Sequence, residues 1–305
     1  MNERTSERPD LAGASARIST HLIGRERELE LLLAAVAAGR DILLEGPPGT
    51  SKTTILRAIT GEWGIPLVFV EGNADLTPSK LIGHHNPARV LREDFSADNF
   101  VAGPLVDAMQ GGGFLYIEEF NRAPEDTISA LLTAIADRRI AVPRFGTVEA
   151  LPTFRLIASM NPYDNVGTTR LSTSITDRLC RLAISYQSAA AEVDIVRLRS
   201  DSSWEQLTRD GVAVTRATRT HDDVRQGSSV RGAIDTVLVA EQLMGLRGVD
   251  STLGGDYREA VLDSMLIGLS GRIHVDEATD TTPEQVLREI WENHFVLQPA
   301  TAAPG

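Results

Sequence analysis

The chain has 305 residues, of which 42% are hydrophobic and 24% are charged, and its formal net charge at pH 7 is −12. Such a composition is typical of a globular protein with room for about two domains. The excess of acidic side chains argues against a broad surface for nucleic acids or anionic membranes. The single cysteine, Cys180, excludes an internal disulfide, fits a reducing compartment and is interpreted as a packing residue.

The N-terminal segment, residues 1–20, is rich in Ser, Arg, Glu and Ala and is predicted to be disordered. It lacks the apolar core of a signal peptide. The longest apolar stretch, residues 29–38, is interrupted by Glu30 and is too short to span a bilayer, so we interpret it as a helix. We therefore expect no membrane span and, most simply, a cytoplasmic location.

Residues 21–186 alternate between apolar runs and helical patterns, which predicts a parallel sheet covered on both faces. The predicted strands are Ile42–Leu44, Leu67–Val70, Phe114–Ile117, Phe154–Ala158 and Leu182–Ser185. Strand signals mostly stop after Tyr186, and residues 187–300 are predicted to be helical, most clearly at 231–244 and 257–269. The fold class predicted is therefore α/β, followed by a smaller helical domain.

The segment DILLEGPPGTSKT, residues 41–53, is the most informative part of the chain. It has the form of a P-loop: a buried strand, a Gly/Pro turn, Lys-Thr and then a helix. Converging backbone N–H groups and the helix N-terminus would hold phosphate oxygens. Lys52 would pair with the β- and γ-phosphates, and the Thr53 hydroxyl would bind Mg²⁺. The alternative is a turn between strand and helix that binds nothing.

Ser51 departs from the P-loop pattern, because glycine is expected immediately before the lysine. Serine is small and keeps its backbone N–H. We expect it to be accommodated provided that its φ angle stays below zero.

Two carboxylates, Glu118 and Glu119, end the apolar run that begins at Phe114. We expect this run to form a strand beside the P-loop strand. Glu118 would then support Mg²⁺ through its water shell, and Glu119 would act as the base that polarises the attacking water. The usual residue at the first position is Asp, so Glu118 is a second departure. The alternative is a solvated acidic turn.

Asn161 follows another buried run, FRLIASM, at the edge of the sheet where α/β folds bind their ligands. Its amide could orient water or contact the γ-phosphate. The dipeptide Asn-Pro is also a common turn initiator, and the residues alone leave these two interpretations about equal.

Four segments together resemble the AAA+ ATPases of the MoxR family, close to its CbbQ/NorQ and CoxD-like branch. They are GPPGTSKT (46–53), FLYIEEFNRAPEDTISALLTAI (114–135), FRLIASMNPYDNVGTTRLSTSITDRL (154–179) and GSSVRGAID (227–235). The likeness covers about residues 20–270. It implies an AAA+ P-loop αβα sandwich at 21–186, a helical lid at 187–300, and a ring, usually a hexamer, that hydrolyses ATP with Mg²⁺.

The resemblance also assigns roles to individual residues. Asn161 corresponds to the sensor-1 position, Arg178 to the arginine finger that reaches the neighbouring subunit's nucleotide, and Arg231 to the sensor-2 arginine of the lid. Arg170 and Arg181 compete with Arg178 for the finger role. The implied nucleotide contacts are Gly46, Pro47, Pro48, Gly49, Thr50, Ser51, Lys52, Thr53 and Thr54, with Ile23 in a segment, 22–25, that packs near the adenine.

Two stretches correspond to insertions of the family, residues 76–104 and a predicted hairpin at 139–152 with Phe145-Gly146 at its turn. In a ring they would face the pore or a client. The family implies a motor that remodels a protein client, with a von Willebrand factor A domain protein as partner and metalloenzyme maturation as one outcome. Two alternatives remain: a nucleic-acid-directed ATPase, which the net charge disfavours, and an ATP-binding switch or scaffold with little turnover.

Overall fold

The computed structural model describes residues 10–93, 97–162, 171–276 and 278–297. The chain divides into two compact units, residues 1–47 with 51–185 and residues 48–50 with 186–305. Strands and helices alternate along the first unit, whereas the second is built mainly of helices. This is the α/β class with a helical C-terminal region that the sequence predicts.

The helices of the first unit are α1 (Leu11–Ser19), α2 (Glu26–Ala37), α3 (Lys52–Trp63), α4 (Pro78–Ile82), α5 (Pro87–Glu93), α6 (Pro104–Gly111), α7 (Glu125–Asp137) and α8 (Thr173–Thr176). Its strands are β1 (Ile42–Glu45), β2 (Leu67–Glu71), β3 (Gly83–His85), β4 (Phe100–Ala102), β5 (Phe114–Glu118), β6 (Arg139–Val142), β7 (Gly146–Glu149), β8 (Arg155–Met160) and β9 (Cys180–Ala183). The second unit contains α9 (Ala189–Ser200), α10 (Glu205–Ala217), α11 (Val230–Arg247), α12 (Gly255–Leu269) and α13 (Pro283–Glu292), with β10 (Val224–Gln226) and β11 (His274–Val275).

Five strands form a parallel sheet in the order β2-β5-β8-β1-β9. The sheet confirms the parallel arrangement predicted from the apolar runs. Successive side chains of β1 point to opposite faces: Ile42 and Leu44 join one apolar cluster and Leu43 joins the other. Helices therefore cover both faces, and the carboxyl ends of the strands share one edge.

Two details of the sheet differ from the prediction. Strand β8 lies between β1 and β5, so the strand that ends in Glu118 is not the direct neighbour of the P-loop strand. Strand β9 begins at Cys180, two residues before the predicted run, because its pairing register is set by β1, with Ile42 opposite Cys180. Cys180 is exposed on this edge strand, so its interpretation as a packing residue is wrong.

Residues 11–19 form helix α1, although the sequence predicted disorder through residue 20. The Asp10 side chain caps the helix by accepting a hydrogen bond from the N–H of Gly13 at 2.9 Å. Ala14 and Ile18 are buried, and Arg17 pairs with Glu62 of α3. The polar residues that suggested disorder share the helix with two apolar anchors, which composition alone does not reveal. Residues 1–9 lie outside the described residues.

The two predicted insertions each contain an antiparallel pair of strands, β3 with β4 and β6 with β7. The second pair is the hairpin predicted at 139–152. Phe145, at the turn of this hairpin, packs on Phe100 of β4 with ring centroids 4.5 Å apart. His85 of β3 contacts the same Phe100 ring at 5.4 Å. The two insertions are therefore joined into one surface of the first unit.

The second unit has one apolar core, shared by α9 to α13. Val237 and Ala240 of α11 pack in this core with Val261 and Met265 of α12, and all four side chains are fully buried. The sequence predicted α11 and α12 but not the short antiparallel pair β10 and β11. Within the described parts of the chain, no helix is both long and apolar enough to cross a membrane.

Candidate functional site

The predicted P-loop connects β1 to α3. Its first residue, Gly46, has no room for a side chain, because an added Cβ would lie 2.0 Å from the carbonyl oxygen of Ile184. The Lys52 ammonium folds back into the loop and donates to the carbonyls of Gly46 and Pro47 at 2.8 and 2.9 Å. Lys52 is 9% exposed. A buried cation held against a close-packed backbone turn, at the start of a 12-residue helix, suits the recognition of an anion.

The remaining residues that were predicted to contact the nucleotide belong to the same segment of the chain. Pro48, Gly49 and Thr50 lie in the loop and Thr54 lies in the first turn of α3. Thr50 is buried and Thr54 is exposed.

Ser51 adopts the left-handed conformation, with φ 65° and ψ 19°. The condition under which Ser51 was expected to be accommodated, a negative φ, is therefore not met. Ser51 is the residue that immediately precedes α3, and its backbone takes the angle that glycine would adopt without strain. For a residue with a Cβ this conformation costs about 1–2 kcal/mol.

We expect Ser51→Gly to raise the free energy of unfolding by about 1 kcal/mol, since glycine removes the left-handed strain but gains freedom in the unfolded chain. Thermal and urea unfolding measure this change. Ser129→Gly, in the exposed face of α7, is the matched control and should destabilise by about 0.5 kcal/mol. ATP turnover of Ser51→Gly should stay within a few-fold of wild type. A lower stability would contradict the strain assigned to Ser51.

Glu118, Glu119 and Asn161 lie at the same edge of the sheet as the loop. Glu118 ends β5, Glu119 follows it, and Asn161 follows β8, which pairs in parallel with both β1 and β5. Parallel strands bring their carboxyl ends together, so Asn161 stands between the P-loop strand and the acidic pair. The structure thus gathers the three predicted elements along one sheet edge.

Glu119 has a second backbone peculiarity, with φ 53° and ψ 43°. The short 3₁₀ turn Phe120–Arg122 follows it, and the Arg122 guanidinium lies 3.2 Å from its carboxylate. Both side chains are about two-fifths exposed, at 42% and 40%. The Glu119 carboxylate is therefore accessible to water, as a general base requires.

A chain of hydroxyl groups links α3 to the sheet beneath this edge. The Tyr116 hydroxyl lies 3.4 Å from Oγ1 of Thr53 and 3.0 Å from Oγ of Ser159 on β8. Burial raises the pKa of Tyr116, and hydrogen bonds with Ser159 and Thr53 counteract part of that effect. The charge of Glu118 raises the pKa further, so Tyr116 remains a neutral hydroxyl at physiological pH.

The donor set at this edge fits Mg²⁺. Thr53 offers a hydroxyl oxygen and Glu118 a carboxylate, which are the hard oxygen ligands that this cation prefers. Thr53 lies in the first turn of α3 and Glu118 ends β5, so both oxygens lie at the same end of the sheet. The remaining positions of such a cation are normally filled by water and phosphate oxygens.

Ile23 lies, half buried, in the segment predicted to approach the adenine. Arg25 anchors this segment. Its side chain is 2% exposed, pairs with Glu28 at 2.8 Å and donates to the carbonyl of Ser185 at 2.7 Å. Gly24 takes φ 64°, which turns the chain into α2. The segment is therefore fixed by a buried guanidinium that the sequence did not single out.

The three finger candidates occupy different situations. Arg178 follows α8, is exposed, and donates to the carbonyl of Ser174 at 2.7 Å. Arg181, on β9, forms an ion pair with Glu45 at 2.5 Å. Its hydrogen bond with Glu45, and the charge of that carboxylate, raise the pKa of Arg181. Arg170 lies outside the described residues. Within the part of the chain that the structure describes, Arg181 has a carboxylate partner, whereas the contact found for Arg178 is with a backbone carbonyl.

Arg231 is exposed in the first turn of α11, in the second unit. The segment before it, 227–229, is shaped by Arg219, whose Nε donates to the carbonyl of Ser228 at 2.7 Å. Arg219 also pairs with the buried Glu192 at 2.7 Å. The Ser229 hydroxyl then caps the helix by accepting from the N–H of Arg231 at 3.3 Å. These contacts hold the backbone that precedes Arg231.

The sequence interpretation missed Tyr116 and Arg122. Tyr116 stands in an apolar run, where an aromatic residue is expected to pack. A signal was present, since a tyrosine two residues before a carboxylate lies on the same strand face and its buried hydroxyl needs a partner. For Arg122 the pattern offered no comparable signal, because the contact depends on the left-handed Glu119.

Comparisons with known proteins agree with this geometry. The model of the AAA domain (dynein-related subfamily) matches residues 41–179. Protein NorQ of Paracoccus denitrificans is 32% identical over 208 residues, covering 67% of this chain and 70% of that protein. The gas vesicle ATPase GvpN of Haloferax mediterranei is 28% identical over 242 residues, covering 74% of this chain and 68% of that protein.

Among solved structures, the RuvB Holliday junction branch migration motor of Thermotoga maritima has a TM-score of 0.52 at 19% identity, over 80% of this chain and 70% of that one. At this identity the likeness shows the fold alone. The relatives and the family model confirm the family predicted from the four motifs, and an AAA+ domain implies nucleotide binding. The chain belongs to the MoxR-like family of AAA+ ATPases.

Proposed function

We propose that the protein is a Mg²⁺-dependent ATPase that assembles as a ring, on the AAA+ pattern a hexamer, and remodels a protein client. The observation behind this proposal is the meeting of the loop, the acidic pair and Asn161 at one edge of the sheet. Lys52 would hold the β- and γ-phosphates, while Thr53 and Glu118 would hold Mg²⁺. Glu119 would accept a proton from the attacking water, and Asn161 would orient that water.

The client and partner are proposed by analogy with the relatives. The resemblance of the four motifs to the CbbQ/NorQ and CoxD-like branch of the MoxR family suggests a von Willebrand factor A domain partner and metalloenzyme maturation in the cytoplasm. The surface built from the two insertions, centred on the Phe100–Phe145 contact, is the part of the first unit proposed to meet the client. A pull-down with the purified chain, with and without ATP, tests for a partner with this domain.

The nucleotide assignment is tested by Lys52→Ala. Removing the charge that faces the phosphates should weaken ATP binding about 10- to 100-fold, the value of one or two charge-assisted hydrogen bonds. Calorimetry or a fluorescent ATP analogue measures the affinity. Lys80→Ala is a matched control, because Lys80 is the only other lysine of the sequence and is exposed. Unchanged ATP affinity in Lys52→Ala would contradict the site.

A second candidate function is an ATP-binding switch with little turnover. It is favoured by the strained conformation of Ser51 and by Glu118 in place of the usual aspartate. Steady-state ATPase measurements with Mg²⁺ separate the two functions. A Ser51→Gly variant about 100-fold faster than wild type, roughly 2.7 kcal/mol in barrier, would favour the switch.

A further inference from the structure

We propose that Tyr116 is a positioning residue, whose hydroxyl orients the Thr53 hydroxyl toward the metal and connects it to strand β8. This inference rests on the proposed Mg²⁺-dependent function and deepens it. The residue is not a ligand. It acts through Thr53, by fixing where the proton of that hydroxyl points.

The geometry supports a bridging role. Tyr116 is fully buried on β5, two residues before Glu118 and therefore on the same face of the strand. Its hydroxyl lies 3.4 Å from the Thr53 oxygen on one side and 3.0 Å from the Ser159 oxygen on the other. Ser159 is itself 1% exposed. Three hydroxyl groups from α3, β5 and β8 thus form one row.

The chemistry of hydroxyl groups determines which member of this row donates a hydrogen bond and which accepts it. Each hydroxyl has one proton and two lone pairs. If the Thr53 oxygen is to present a lone pair to a cation, its proton must point away from that cation and needs an acceptor. The Tyr116 oxygen is placed to accept it, and the Tyr116 hydroxyl can in turn donate its own hydrogen bond to Oγ of Ser159. Without the phenol oxygen, the Thr53 hydroxyl would rotate among several orientations.

A purely structural role makes a different prediction. The Tyr116 ring packs edge-on against Phe69, with centroids 5.7 Å apart, and phenylalanine would keep that contact. If the hydroxyl mattered only for packing and for pairing with Ser159, its removal would lower stability and leave the response to Mg²⁺ unchanged. The Mg²⁺ response is therefore the informative measurement.

The test compares wild type with Tyr116→Phe, using a fluorescent ATP analogue as the probe. In EDTA the two proteins should bind the analogue within about two-fold of each other. In a Mg²⁺ titration, the concentration that gives half of the gain in affinity should rise about 10-fold in Tyr116→Phe, the scale of lost outer-shell contacts at metal sites. Tyr257→Phe is the matched control, because its buried hydroxyl contacts Asp210 at 2.6 Å in the second unit. It should leave the midpoint unchanged.

A double-mutant cycle shows whether Tyr116 acts through Thr53. Thr53→Ala combined with Tyr116→Phe should be no worse than Thr53→Ala alone, since the second change has nothing left to orient. Ser159→Ala gives an independent variant, should Tyr116→Phe fold poorly. It breaks the other end of the row and should raise the Mg²⁺ midpoint by about 3-fold, the value of one hydrogen bond.

The outcomes separate this inference from the proposed function. Mg²⁺-dependent binding by wild type with an unchanged midpoint in Tyr116→Phe and Ser159→Ala would overturn the role of Tyr116 alone. Additive effects in the cycle would do the same. A wild-type protein that binds the analogue equally with and without Mg²⁺ would overturn the proposed function and this inference together.

Discussion

Glu119→Gln should retain ATP binding and lose turnover by about 10²- to 10⁴-fold, the usual contribution of a positioned general base. The amide keeps the length and shape of the side chain and can still hold a water molecule, but it cannot accept that water's proton. The left-handed backbone at residue 119 is equally available to both side chains, so the local turn should survive.

Turnover and ATP affinity are measured on the same assembled preparation of Glu119→Gln. Glu125→Gln is the matched control: it makes the same chemical change six positions further on, at an exposed site in the first turn of α7. It should hydrolyse ATP like wild type. Full activity in Glu119→Gln would show that Glu119 is not the general base. Equal losses in both variants would indicate a general effect of removing charge from this region.

The sheet could be predicted because its strands are apolar runs buried on both faces. Ile42, Leu43 and Leu44 are all buried, and a strand that is buried on both faces appears in the sequence as a continuous apolar run. The order of the strands is a different matter. That β8 separates β1 from β5 depends on long-range pairing, such as Ile42 with Ile157 and Phe114 with Arg155, and apolar strands carry little information on which neighbour each one takes.

The site was predictable where its chemistry lies in consecutive residues. Lys52 and Thr53 follow one another, as do Glu118 and Glu119, so each pair could be recognised from its flanking strand. Tyr116 could not be assigned a role in the same way, because the hydrogen-bond partner of its hydroxyl is Ser159, which is 43 residues away.

Backbone conformation was the property hardest to predict from the sequence. Ser51 and Glu119 both adopt positive φ angles, although neither is glycine. Side-chain type predicts the opposite, and only the closure of the loop by the surrounding strands and helix requires the left-handed form. The helix at residues 11–19 was missed for a related reason: Ala14 and Ile18 acquire their anchoring role only against other elements.

The last prediction concerns Arg178 and the completion of the site by a neighbouring subunit. The proposal follows from its place after β8 and from the exposure of its side chain, which donates to a backbone carbonyl of its own segment. Arg181 is the weaker candidate, because reaching a neighbour would require it to leave Glu45. A guanidinium beside the transferring phosphoryl group stabilises its charge, which in other P-loop enzymes is worth about 10³–10⁵ in rate.

Arg178→Ala should therefore bind ATP normally and hydrolyse it at least about 10³-fold more slowly. Arg199→Ala, an exposed arginine of α9, is the control and should remain active. In wild type, turnover per subunit should rise with protein concentration as rings form, measured by ATPase assay beside light scattering.

Mixing distinguishes a contribution in trans from one in cis. Arg178→Ala subunits keep an intact loop, and Lys52→Ala subunits keep an intact finger, so one interface in a mixed ring joins both intact halves. Some turnover should return on mixing, although each variant alone is inactive. A sensor-2 arginine serves its own subunit, so mixing Arg231→Ala with Lys52→Ala should restore little. Flat turnover from monomer to ring, or full activity in Arg178→Ala, would make the assignment wrong and leave Arg170 and Arg181 as the positions to test.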